Sequence, residues 1–120
     1  MSGNVTKTKS FNFALRIIKL FQFLNQEKKE FLLSKQLLRS GTAIGALVRE
    51  SEQAESKKDF IHKLAIAQKE ANETDYWLEL LYQSDYLNQT QFQSIKSDIV
   101  EINKILASII ITTKQKMTSI

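Results

Sequence analysis

An all-α, antiparallel up-down-up-down four-helix bundle is the fold this sequence predicts, and three observations predict it. Proline is absent and glycine occurs only three times in 120 residues, so little in the chain interrupts a helix. Apolar residues recur at heptad-like steps in separate segments, and no segment shows the strict alternation of a strand. The connections are short and have no linker composition, which folds consecutive helices back on one another. An extended coiled coil of the two long C-terminal helices is the alternative. The short connections and a strongly apolar first helix favour the closed bundle.

The first helix is expected over residues 10–25. Ala14, Ile17, Phe21 and Leu24 form one stripe, and Phe11, Leu15 and Ile18 an adjoining one. That arc is wider than a single neighbour covers. The turn "NQEKK" leads into a second helix over 30–53. A third opens at "SKKD", where Ser56 and Asp59 have the spacing of a capping box. Its seam is Phe60, Leu64, Ala67, Ala71, Thr74, Leu78 and Leu81. A fourth opens near "TQFQ", with Thr90 and Gln93 as a second capping box and a seam of Phe92, Ile95, Ile99, Ile102, Leu106 and Ile109. Phe11, Phe21, Phe60 and Phe92 read as core residues. Residues 1–120 make a single domain, whose basic ends, 1–8 and 114–120, are candidates for disorder.

Two of the three glycines, Gly41 and Gly45, fall inside the second helix, where each costs about 0.5–1 kcal/mol relative to alanine. Folding the second helix back on the third about residues 54–55 sets both opposite Leu64 and Gln68, near Ala65, Ala67 and Ala71. Small residues facing small residues would then bring two backbones close. A kink at Gly41 is the alternative. The same mirror arithmetic sets Arg39 beside Glu70 and Glu73, a charge-assisted bridge at the waist of the bundle.

Charge is unevenly distributed. Residues 1–49 carry nine Lys or Arg against two acids, residues 50–101 carry five against eleven, and residues 102–120 carry three lysines and no acid. Basic flanks suit an anionic partner, with ordinary solubilising charge as the plain alternative. In the expected bundle Lys7, Lys9, Arg49, Lys57, Lys58, Lys114 and Lys116 gather at one end, against Glu50, Glu52 and Glu55. They are the candidate nucleic-acid contacts, to RNA or DNA. Tyr76, Trp77, Tyr82 and Tyr86 cluster late in the third helix. With the wide apolar arc of the first, Tyr76, Trp77 and Tyr82 make a candidate self-association interface.

Enzymatic classes find little support. Zero cysteines exclude disulfides and thiolate metal sites, and fit a cytoplasmic location. Asp59 and His62 have the i, i+3 spacing of carboxylate-bridged di-metal bundles, but such sites need a second histidine, and His62 is the only one. Glu70 and Glu73 share a face suited to acid–base work, yet Arg39 and Lys69 nearby make an ion network the simpler reading. The serines have no base-and-orienter set, and no phosphate loop follows a strand. No catalytic residue, metal or cofactor is therefore expected. The apolar run 11–24 is broken by Arg16 and Lys19, so neither a signal peptide nor a membrane partner is expected.

The stretch "LLRSGTAIGALVRESEQAESKKDFIHKLAIAQKEANETDYWLELL", residues 37–81, resembles the signature of the four-helix-bundle proteins named after 23S rRNA intervening sequences, the S23-like family. The matching positions are Arg39, Ser40, Gly41, Thr42, Ile44 and Gly45. They continue through Glu50, Ala54, Ser56 and Phe60 to Ala67, Lys69, Glu70, Glu73, Tyr76 and Trp77. Leu47 departs from the pattern, where asparagine is common. The resemblance implies a bacterial, non-enzymatic homo-oligomer, a ring of five bundles. It also implies a relation to the accessory protein of diversity-generating retroelements, which binds nucleic acid and a reverse transcriptase. Two functions follow as expectations. One is an oligomeric RNA-binding protein whose basic patches repeat around the assembly; the other is a protein–protein scaffold or accessory subunit, with a reverse transcriptase as candidate partner.

Overall fold

The described residues fold into four helices: α1 (Ser2–Gln26), α2 (Leu33–Ser51), α3 (Lys57–Gln83) and α4 (Gln89–Thr118). The structure is a computed structural model that describes the backbone of residues 2–118 and the side chains of residues 5–118. No strand occurs among the described residues. The helices pack in the ring order α1–α2–α3–α4 and back to α1. Facing residues run in opposite sequence order: Ile17 and Ser10 meet Gly41 and Gly45, while Asp75 and Tyr82 meet Lys96 and Phe92.

The heptad seams become the core. Leu64, Ala67, Ala71, Leu78 and Leu81 of α3 are buried against Ile95, Ile99, Ile102 and Leu106 of α4 and against Leu37, Ile44 and Val48 of α2. Burying each such aliphatic side chain stabilises by about 1.5–3 kcal/mol. The seam's polar member, Thr74, is fully buried, with its hydroxyl 2.9 Å from Ser40 Oγ on α2 and 2.8 Å from the Glu70 carbonyl oxygen. That contact satisfies two hydroxyls that burial would otherwise leave costly.

Helix boundaries follow the strongest local cap. Ser56 accepts from the Asp59 N–H at 3.0 Å as expected, and the Asp59 carboxylate reaches one residue past the cap, accepting the Glu55 N–H at 3.2 Å. For α4 the box is Asn88 with Gln91, at 2.8 and 2.9 Å, two residues before the expected Thr90 and Gln93. Asparagine leads threonine as a cap, so the helix starts earlier. The α2 boundary also shifts: Glu30 lies outside the helix and caps it, accepting the N–H groups of Leu32, Leu33 and Ser34 at 3.2, 2.9 and 2.7 Å. Both ends proposed for disorder are helical where described. Residues 2–8 belong to α1 and 114–118 to α4, while residues 1, 119 and 120 lie outside the described residues.

Two expectations about α1 and α2 are overturned. Gly41 and Gly45 face α1, not the alanines of α3. A β-carbon on Gly41 would lie 2.8 Å from Ile17 Cγ1, and one on Gly45 would lie 3.3 Å from the Ser10 carbonyl oxygen. Mirror arithmetic sets the height of a residue along a helix but not which of two neighbours it faces. The second correction is Phe11, which is half exposed, while Phe13 and Ile17 fill the core. Close approach through the glycines fixes the rotation of α1, and that rotation turns Phe11, Leu15 and Ile18 outward.

Gly41→Leu should therefore destabilise by at least the roughly 1–3 kcal/mol of an overpacked core, and Gly41→Ala should lose stability despite its better helix propensity. Combining Gly41→Ala with Ile17→Ala, which removes both γ-carbons that meet the new β-carbon, should cost less than the sum of the two single changes, a coupling that urea melts of the double-mutant cycle measure. Independent, additive effects would place the glycine away from Ile17.

Candidate functional site

The seven predicted basic contacts divide into three groups. Lys7 and Lys9 are tied down, to Glu52 at 3.3 Å and to Glu101 at 3.0 Å. The Arg49 guanidinium lies over the Phe11 ring, 5.6 Å from its centroid, a cation–π contact. Lys57 and Lys58, which open α3, and Lys114 and Lys116, in the last turns of α4, are exposed and make no ion pair among the described residues. Carboxylates neutralise three further cations: Arg16 pairs with Asp98, Lys63 with Glu50, and Lys96 with Asp75. The acidic middle of the sequence is largely spent in this way.

Arg39 bridges Glu70, at 3.2 Å, and Glu73, as the mirror arithmetic predicts. It does so at the surface, with its side chain half exposed. The Trp77 indole N–H donates to Glu73 at 3.1 Å. That bond first, and the Arg39 guanidinium second, hold the Glu73 carboxyl below the ordinary carboxylate value. Such exposed networks contribute at most about 1 kcal/mol.

Of the predicted aromatic interface, Tyr76 and Trp77 meet edge to face, with ring centroids 5.1 Å apart. Tyr82 stacks on Phe92 with ring centroids 4.3 Å apart, and Trp77 packs partly against the core. Tyr76 alone of the three is open to solvent. The exposed apolar surface lies on the other side, where Phe11, Leu15 and Ile18 of α1 line a groove of about 590 Å³ with Gly45, Ala46 and Arg49 of α2. Small α2 residues beside large α1 residues make the groove, a direct outcome of the glycine contact. Its α1 wall was visible as the adjoining stripe; its α2 wall was not.

At the α1–α2 connection Phe31 and Leu32 are exposed beside Lys28 and Lys29. Two adjacent large apolar residues after a lysine pair in a turn are the signal for it in the sequence. Among the described residues no three His, Cys, Asp or Glu side chains gather where they would hold a metal ion, and His62 is exposed. No described helix is long and apolar enough to cross a membrane.

The model of the 23S rRNA-intervening sequence protein family matches residues 4–108. The chain belongs to that family. A crystal structure of a protein with unknown function from the S23 ribosomal protein family of Bacteroides thetaiotaomicron is 60% identical, with a TM-score of 0.91. The match covers 92% of this chain and 98% of that one. No curated protein matches. Family membership thus rests on nearly the whole chain, beyond the central signature of residues 37–81.

The lowered Glu73 value gives a pH test with a definite sign. Its stabilisation is complete above the ordinary carboxylate value of about 4 and is lost as pH falls through the lower folded value. Arg39→Ala should destabilise more than Lys35→Ala at pH 7, by up to about 1 kcal/mol. The difference in melting temperature between wild type and Arg39→Ala should shrink as pH falls from the ordinary carboxylate value through the lowered Glu73 value. A difference that persists unchanged in acid would mean Arg39 acts through packing alone.

Proposed function

We propose that this chain is a non-enzymatic, homo-oligomeric, antiparallel up-down-up-down bundle that binds RNA through basic patches repeated by the assembly. The observation that carries the reading is that four cations near the start of α3 and the end of α4, Lys57, Lys58, Lys114 and Lys116, make no ion pair among the described residues. In the antiparallel arrangement the start of α3 and the end of α4 share one end of the molecule, so these four lysines form one patch. Phosphate contacts by lysine release counterions, and several copies of a weak patch bind with avidity. Phe11, Leu15 and Ile18, each between 39% and 49% exposed, supply apolar area whose burial by self-association is worth about 25 cal/mol per Å². A ring of five, the cytoplasm as location and the absence of catalysis follow from the family resemblance and from the lack of a nucleophile–base set.

The groove between α1 and α2 favours a second reading, a scaffold that docks another polypeptide. The relation to the retroelement accessory protein belongs here, with a reverse transcriptase as the partner.

Anisotropy titrations against a generic RNA at 50–200 mM salt separate the two. The RNA reading expects affinity to fall steeply with salt. Replacing Lys57, Lys58, Lys114 and Lys116 by glutamine should then lower the log–log slope by about 3, at ~0.7 per lost single-strand contact. No binding at low salt leaves the scaffold. Light scattering that returns a stable 13.8 kDa monomer at micromolar concentration would remove the oligomer and its avidity.

A further inference from the structure

The α1–α2 connection, residues 27–32, is built to hold two large apolar side chains in water. Leu32 is 77% exposed and Phe31 49%. A loose loop would fold such residues inward, but this one is fastened from below. The buried Glu30 carboxylate takes three backbone N–H groups, and the Glu30 N–H itself donates to the Leu24 carbonyl at 2.9 Å. The Ser34 hydroxyl donates to the Glu30 carbonyl at 2.9 Å, and the Asn25 amide donates to the Phe21 carbonyl at 2.6 Å and to Ser34 Oγ at 3.3 Å. Lys29 adopts the left-handed backbone, φ 55°, an unfavourable conformation for lysine that this network holds in place. Rigid display lowers the ordering cost of a contact made by Phe31 and Leu32.

Lys28 and Lys29 precede the pair and Lys35 follows it, and none of the three makes an ion pair among the described residues. The N-terminal amides of α2 nearest the tip are already bound by Glu30, so they offer no anion site of their own. What remains is a flat aromatic ring and an aliphatic side chain framed by three free ammonium groups. Two apolar side chains bury too little surface to hold a bilayer, and a purely apolar protein pocket has no use for three lysines. A ring beside phosphate-seeking cations matches an unpaired nucleotide, whose base presents a face for stacking and whose backbone presents the charge.

We propose that this tip is a second RNA contact, selective for unpaired nucleotides, with Phe31 stacking on an exposed base and Lys28, Lys29 and Lys35 on the flanking phosphates. Leu32 packs against the neighbouring base or ribose. The proposal rests on the reading of the protein as an RNA binder. It adds a contact at the α1–α2 turn that discriminates single strands, which the lysines of α3 and α4 do not.

The test is anisotropy of full-length protein on a short single-stranded oligoribonucleotide and on a duplex of the same length. Phe31→Ala should weaken single-strand binding on the order of tenfold, the scale of one lost base–aromatic stack, and leave duplex binding unchanged. Phe31→Trp should retain single-strand binding, and because the side chain is exposed both variants should melt like wild type. Equal losses on both RNAs, or no loss on the single strand, overturn the tip contact. If Phe31→Ala has no effect while the Lys57, Lys58, Lys114 and Lys116 variant still loses affinity, the tip fails and the RNA reading stands. If wild type binds neither RNA, both fall. Phe31-dependent co-sedimentation with phosphatidylserine vesicles, without an effect on RNA, would also overturn the proposal in favour of a membrane.

Discussion

The near contact of the α1 and α2 backbones is the constraint on which the rest of the structure depends. Gly41 admits the Ile17 side chain where a β-carbon would stand 2.8 Å from it, and Gly45 lets α2 approach the Ser10 carbonyl. Ser10 is itself fully buried, so at Gly45 the seam is made of small groups on both sides. Tight packing of this kind fixes rotation as well as distance, because a turned helix would drive a larger side chain into the seam. With α1 so rotated, Phe13, Ile17 and Leu24 enter the core and Phe11, Leu15 and Ile18 face out. The groove is thus a consequence of where the glycines point. The helix propensity given up at two positions is returned as packing.

Electrostatics divides the surface by a similar economy. Carboxylates of α2, α3 and α4 hold Lys7, Lys9, Arg16, Arg39, Lys63 and Lys96 in ion pairs that link neighbouring helices. Each is worth little alone, being exposed and screened. Their larger effect is selective: they withdraw some cations from any anionic partner and leave others, Lys57, Lys58, Lys114 and Lys116, available. The same holds at the turns. Glu30 spends its charge on backbone amides inside the α1–α2 connection, so Lys28 and Lys29 stay unpaired beside Phe31 and Leu32.

Much of this could be read from the residues, and the limits of that reading are physical. The α3 seam from Leu64 to Leu81 was legible because a long helix with a heptad-like repeat has only one apolar face to bury. Arg39 with Glu70 and Glu73 was legible because a short connection fixes the relative height of two adjacent helices. The direction of Gly41 and Gly45 was not, since α2 has two neighbours at the same height and a glycine carries no side chain to choose between them. Phe11 and Phe13 were indistinguishable for a related reason: the apolar arc of α1 is wide enough to present either. The α4 cap was misplaced by two residues because Asn88 and Thr90 are both competent caps, and the stronger wins.

The sequence by itself therefore determined the helical class, the seams of the long helices, the Ser56–Asp59 cap and the pairing of Arg39 across the α2–α3 turn. These follow from periodicity and short-range geometry, which are properties of the chain. Only the tertiary structure decided which helix the glycines approach, which phenylalanine is covered, which lysines remain free and that Phe31 and Leu32 stand in water. Each of those depends on the rotation of a helix about its own axis or on the choice among several acids within reach. Both are settled by packing against a neighbour, which no local pattern in the sequence encodes.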